Sequence, residues 1–342
     1  LPESEAIYTQ LGLSGIFIIF LVATAIHTIN NRAKPDNFDF ILIIGNAGIF
    51  FGLTMSNLAE SYEQWLGLST ILLSGLYAAI GLFALRSRYV PALVSFCFLG
   101  ISLIFLTVFI PIQLTGEWIT VTWSAQAAVV IGIGLKFKDF KIRLGGLIVL
   151  GAAIIHALSV DTFSTDVNKD YTPILNYRFM AFVICILASY ITAYLYLANK
   201  VVTEDWEHSI GLALFAAGTF MTIWVITAEI IDYFNSTEIH AYVKSIAKRS
   251  YEEAKQLSIT LFWAIYALLL ILSGIRFSKQ VVVSPKMMTA IGAMLLAVPV
   301  AKLFIYDVFL LDASYRVAAF IVLGPLLILT GLAYRRIRES FT

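Results

Sequence analysis

Runs of about 20 mostly apolar residues recur eleven times along the chain, most of them joined by short connections. Roughly 20 apolar residues is the length at which an α-helix crosses the hydrocarbon core of a bilayer. Inside that core every backbone N–H and C=O must be satisfied within its own segment, so each run is read as a helix. The runs lie at about 11–29, 38–57, 66–85, 91–110, 118–135, 144–160, 178–199, 209–232, 257–275, 287–306 and 316–334. Only 161–177 and 233–256 leave room for structure outside them. The expected fold is an all-α integral membrane protein of about eleven transmembrane helices.

Composition excludes the main alternatives. Of 342 residues, 60% are hydrophobic and 13% charged, whereas a soluble domain carries about 25% charge. A disordered chain needs the opposite balance. The net charge of +1 provides no basic field for nucleic acid. Cys97 and Cys185 sit inside apolar runs and build no disulfide framework. The four histidines, His27, His156, His208 and His240, are scattered, with no metal-ligand spacing and no matched pair for a haem. No phosphate-binding loop, zinc-protease or nucleophile-elbow motif occurs. No cofactor and no metal is expected.

Lys and Arg in the connections set the orientation. With the N-terminus outside, fifteen of them fall on the inner side, among them Lys136, Lys138, Lys141, Arg143 and the C-terminal Arg335, Arg336 and Arg338, against seven outside. Trp65 and Trp118 then sit at the outer interface and Trp206 at the inner one. The chain opens on Leu1 without a signal peptide, so it reads as part of a longer protein with earlier spans. Residues 236–256 are expected to form a helix on the outer face, capped by Ser236 or Thr237, either lying on the interface or extending the ninth span. Asn46 and Gln126 are expected to hydrogen-bond between helices, and Gly48-x-x-x-Gly52 to form a close-packing face.

Two stretches repeat. Trp123, Ala127, Gly134, Lys136, Phe137, His156, Asp161, Tyr177, Arg178 and Phe182 recur in order as Trp263, Ala267, Gly274, Arg276, Phe277, Lys302, Asp307, Tyr315, Arg316 and Phe320. The offset is 140 in the first helix, 146 in the second and 138 in the third, and it changes within loops. Spans 5–7 and 9–11 therefore read as copies of one unit, and span 8 completes a four-helix period of parallel repeats. The expected domains are 1–110, a diverged first repeat; 111–232, the second; 233–256, the outer-face interfacial helix; and 257–342, the third repeat with its basic C-terminus.

These residues also carry a resemblance. The stretch 256–335, with QLSITLFWAIYALLLILSGIRF and AKLFIYDVFLLDASYRVAAFIVLGPLLILTGLAYRR, resembles the C-terminal region of a family of large bacterial predicted membrane proteins that is catalogued as a domain of unknown function. The stretch 110–182 is similar to that family's preceding repeat. The resemblance implies the architecture and the bacterial inner membrane, and no activity.

A charge within a span is costly and by default marks a site or a buried pair. Lys302 and Asp307 close span 10 and Arg316 opens span 11, with Pro299 one turn before Lys302. Asp307 and Arg316 each stand at the helix end whose dipole disfavours them, so an Asp307–Arg316 pair is expected, with Lys302 as a second partner. The other copy offers Asp161 and Arg178 in the same places and His156 in place of Lys302. Glu229 and Asp232, three residues apart, share a helix face, either as a proton or cation site or as interface acids satisfied by water or Arg. The expected function is binding or translocation of an anionic or lipid-linked molecule at the outer leaflet of the bacterial inner membrane. The binding residues are Lys302, Asp307, Arg316, His156, Asp161, Arg178, Glu229 and Asp232. The rivals are a membrane glycosyl- or acyl-transferase using an outer-face carboxylate, and a non-catalytic scaffold with envelope protein partners. Short outer loops favour a non-enzyme.

Overall fold

The computed structural model describes residues 3–30, 37–59, 62–87, 90–165, 171–199, 205–240, 245–276 and 285–307, together with separate positions between 313 and 331. Among these residues there is no strand. The helices are α1 (Glu3–Asn30), α2 (Asn37–Leu58), α3 (Glu63–Arg86), α4 (Ala92–Gln113), α5 (Glu117–Lys136), α6 (Phe140–Ser159), α7 (Tyr177–Ala198), α8 (His208–His240), α9 (Ser245–Arg276) and α10 (Pro285–Lys302). Each contains a segment long and apolar enough to cross a membrane, ten among the described residues. The described positions of the eleventh apolar run are helical. The all-α membrane fold is as the apolar runs dictate.

The chain divides into two compact units, Leu1–Trp123 and Ser124–Thr342. In the first, α3 packs on α4 and α1 on α2. Its core collects Phe17, Leu21, Ile43, Leu73, Tyr77, Val94, Phe98 and Phe105. Tyr77 lies 5.8 Å from Phe105 and 6.1 Å from Phe98, ring centre to ring centre. Polar side chains tie the helices where the core is apolar. Gln10 donates to Thr54 Oγ1 (3.0 Å), Asn57 to Ala6 O (2.9 Å) and Asn46 to Phe17 O (3.2 Å). The Gly48–Gly52 pattern marks no close approach, because a Cβ at either position would meet nothing within 4 Å.

In the second unit α7 packs on α8, α9 on α10, α8 on α9 and α6 on α7. Two glycines make matching close approaches between neighbouring helices. A Cβ on Gly146 would meet Ile131 Cγ1 at 2.7 Å, Ile131 N at 3.0 Å and Ala127 O at 3.1 Å. A Cβ on Gly292 would meet Ile271 Cγ1 at 2.6 Å, Ala267 O at 3.0 Å and Ile271 N at 3.2 Å. Both glycines bring one helix to within van der Waals distance of the next helix's backbone, where any side chain would collide. The apolar contact between α9 and α10 continues through Ala264, Ala267, Leu296 and Leu303.

Local chemistry fixes the helix ends that matter below. Asp139 caps α6, accepting from Lys141 N (2.8 Å) and Ile142 N (3.2 Å). Asn176 caps α7, accepting from Phe179 N at 2.8 Å. After α6 a 3-10 turn, Asp161–Phe163, ends the segment. The helix α10 runs through Pro299 and passes into a π turn over Leu303–Asp307. Proline supplies no N–H to the ladder, so the carbonyl of Leu295, one turn before it, loses its helical donor.

Among the described residues of 236–256 there is no separate helix. Residues 236–240 continue α8 and residues 245–256 open α9, the second being the extension of the ninth span. Tyr251–Gly274 and His208–Ser236 are the membrane-length parts of those helices.

Candidate functional site

Glu229 organises the site. It lies on α8, is buried, and accepts from four residues. Its oxygens receive Tyr171 Oη (2.8 Å), Ile174 N (2.9 Å), Asn176 Nδ2 (3.0 Å) and Arg178, through Nε (3.2 Å) and Nη2 (2.5 Å). All of these donors come from residues 171–178, which lead into α7. Asn176 has two roles there, since its oxygen caps α7 while its amide nitrogen binds Glu229. Ile174 takes φ 66°, a left-handed backbone that costs a β-branched residue roughly 1–2 kcal/mol. The hydrogen bond from its N–H to the Glu229 carboxylate compensates that strain.

Arg178 stands in the first turn of α7, at the helix end where the dipole disfavours a cation. Its compensation comes from α8. Besides Glu229, Nη1 donates to Asp232 Oδ2 at 2.5 Å and to Thr162 O at 3.3 Å. Asp161, which the sequence sets in the same place relative to Arg178 as Asp307 to Arg316, lies instead with its Oδ1 3.3 Å from His156 Nδ1, and is fully buried. The structure thus brings Arg178, Glu229 and Asp232 together and makes His156–Asp161 a neighbouring pair, joined to the cluster through Thr162. Tyr171 lies outside the spans, and burial, then its bond to Glu229, raises its hydroxyl above the ordinary tyrosine range.

Of the remaining sequence-derived residues, Lys302 bonds to α9, its Nζ donating to Thr260 Oγ1 at 2.8 Å and lying 3.3 Å from Gln256 O. Arg316 is half-buried, and the Asp307 side chain is outside the described residues, as is the expected Asp307–Arg316 pair.

Beside the cluster opens a cleft of about 600 Å³. Its wall is Phe220, Ile223, Trp224, Ala228 and Ile231 of α8, Trp263 of α9, and Leu295 and Val298 of α10. Thr162, Arg178 and Asp232 close one end. The polar groups of the wall are spent on one another. Trp224 Nε1 donates to Thr162 Oγ1 (3.0 Å), and Trp263 Nε1 donates to Thr227 Oγ1 (2.9 Å). The threonine hydroxyls in turn donate to Ala157 O (3.1 Å) and Ile223 O (2.6 Å). What the two indoles offer the cleft is ring surface. Asp232 is 16% exposed, with one oxygen on Arg178.

A second buried arginine was not legible as such. Arg143 reads in sequence as one of the inner loop cations. It is buried in the first turn of α6, with Nη2 donating to both oxygens of Glu207 at 2.6 and 2.9 Å. Gly134 makes room for it, since a Cβ there would lie 2.8 Å from Arg143 N. Tyr171, Asn176, Thr162 and Trp224 were also missed. Their types are common in loops and spans, and no local pattern announces a role 50 residues away.

No curated protein and no solved structure matches the chain. A family model described as a predicted membrane protein, DUF2339, matches residues 140–337, which hold α6 to α10, the Glu229 cluster and the cleft. With more than half of its length matched, the chain belongs to the DUF2339 family of predicted membrane proteins.

Proposed function

We propose that this membrane protein binds or translocates a lipid-linked molecule, held in the cleft of its second unit. The carrying observation is a cavity of about 600 Å³ with an apolar, aromatic wall and one ionised end at Arg178 and Asp232. That volume is in the range of ligand sites, which are mostly apolar with a few placed polar groups. Phe220, Trp224 and Val298 are exposed as well as lining, so the cleft opens on the side of the helices, the side from which a lipid enters. An apolar tail lies along α8 and α10 and its polar end meets the charged cluster. A filled bundle, the arrangement a pure scaffold needs, is what this cavity speaks against.

The surplus of Lys and Arg on one side supports an N-terminus outside, which puts the Glu229 cluster toward the outer leaflet of a bacterial inner membrane. The repeat read from the sequence has a structural echo. Gly146 meets Ala127 and Ile131 as Gly292 meets Ala267 and Ile271, at the sequence offsets of 140 and 146. Repeated membrane units with a site beside them are common in transporters.

Native mass spectrometry of the protein released in mild detergent tests the reading. The wild type is expected to carry an adduct of defined mass that Ala228→Trp, which fills the cleft, removes. An empty wild type, or an adduct indifferent to Ala228→Trp, overturns it. An adduct lost only in a Lys302→Ala, Arg316→Ala double variant moves the site to the other copy of the repeat.

A further inference from the structure

We propose that the molecule held in the cleft carries a cationic, ammonium-type head. The inference rests on the reading above and names the charge of the ligand. It follows from charge and donor accounting at the closed end of the cleft. One guanidinium is shared between two carboxylates. Glu229 accepts from Tyr171, Ile174 N, Asn176 and Arg178, so it is ionised and has no proton to share. Arg178 directs four of its five N–H bonds at Glu229, Asp232 and the carbonyl of Thr162. It has little left for an incoming anion. Among the described residues two carboxylates of the cluster face one guanidinium, and the more exposed of them, Asp232, lines the cleft.

The walls suit the same ligand. Trp224, Trp263, Phe220 and Phe163 line the cleft, and both indole N–H groups are engaged elsewhere. Aromatic faces attract an ammonium through their quadrupoles, most strongly when water is excluded, and groups of them are a recurring solution for quaternary amines. An anionic head would meet the negative faces of the rings and the Asp232 carboxylate together. A single-chain ammonium amphiphile satisfies every part of the cleft: its head between Asp232 and the rings, its chain along Ile223, Leu295 and Val298.

The test compares labelled decyltrimethylammonium, decyl glucoside and decyl sulfonate, equal in chain length, by equilibrium binding to the wild type in neutral maltoside micelles. Binding to Ala228→Trp protein is subtracted to remove partition into the micelle. Decyltrimethylammonium is expected to saturate at one per chain, at least tenfold tighter than either other probe. Asp232→Asn is expected to erase that preference, and Trp224→Leu, which leaves the ion cluster intact, to weaken the ammonium probe alone. The wild-type comparison needs no variant and stands if Asp232→Asn fails to fold. Equal binding of all three probes, or tighter sulfonate, overturns the cationic head and leaves the cleft reading in place. Binding of no probe above the filled-cleft control overturns both.

Discussion

Arg143 and Arg178 are both 2% exposed, both stand in the first turn of a helix, and both meet carboxylates from a distant part of the chain, yet they differ in balance. Among the described residues Arg143 has one carboxylate partner, Glu207, which is 1% exposed. Arg178 has two, and the second, Asp232, lines a cleft. A balanced buried pair contributes little beyond a well-packed apolar replacement, whereas breaking it strands a charge. At Arg178 two carboxylates face one guanidinium among the described residues, which is the imbalance that a cationic ligand would meet. The comparison teaches how to tell a structural ion pair from a site: count the charges, then ask which one faces empty space.

The largest effect is expected from Arg178→Met. It strands Glu229 and Asp232 together, and stability measured by steric trapping or thermal unfolding should fall by about 5 kcal/mol. A loss under about 1 kcal/mol would mean that water already serves both acids. Next is Arg143→Met, which strands only Glu207 and should cost about 3 kcal/mol. Here the comparison sharpens: Arg143→Met with Glu207→Met should recover to within about 1 kcal/mol of the wild type, because one cation and one anion are removed together. The corresponding triple change at Arg178, Glu229 and Asp232 should restore stability while abolishing binding in the cleft.

Gly146→Ala and Gly292→Ala are expected to cost about 1–3 kcal/mol each, since the added methyl meets backbone atoms that have no rotamer to move to. If one is silent and the other costly, the two helix pairs are less alike than their contacts suggest. The smallest effect is Tyr171→Phe, about 1 kcal/mol from one lost hydrogen bond to a carboxylate. Its pH dependence has a defined sign. The neutral hydroxyl is the donor, and its titration is shifted up, so the wild-type advantage is complete below the ordinary tyrosine range and disappears as pH rises through the raised value.

Much of the site was legible because apolar surroundings make a charge conspicuous. Arg178, Glu229, Asp232, His156 and Asp161 are all identifiable as costly groups from sequence alone. Their pairing was not. Arg178 could be assigned to Asp161, its counterpart by repeat position, and the structure gives it to acids 51 and 54 residues away. Dipole arithmetic correctly demands a partner for a cation at a helix start, and says nothing about which helix supplies it. The helix ends at 236–240 and 245–256 show a similar limit: an amphipathic pattern fits a helix lying on an interface and the polar end of a longer one equally well.

The sequence by itself determined that this chain crosses a membrane as a series of helices. Hydrocarbon leaves the backbone no other way to satisfy its hydrogen bonds, and run length alone counts the crossings. It also determined which residues are too expensive to be idle. The tertiary structure decided who neutralises whom, that Arg143 meets one carboxylate and Arg178 two among the described residues, and that Trp224, Trp263 and Val298 enclose a space beside Asp232. Charge neutralisation and cavity shape depend on distances of a few ångströms between helices far apart in the chain. Periodicity fixes the face of each helix, and only packing fixes which faces meet.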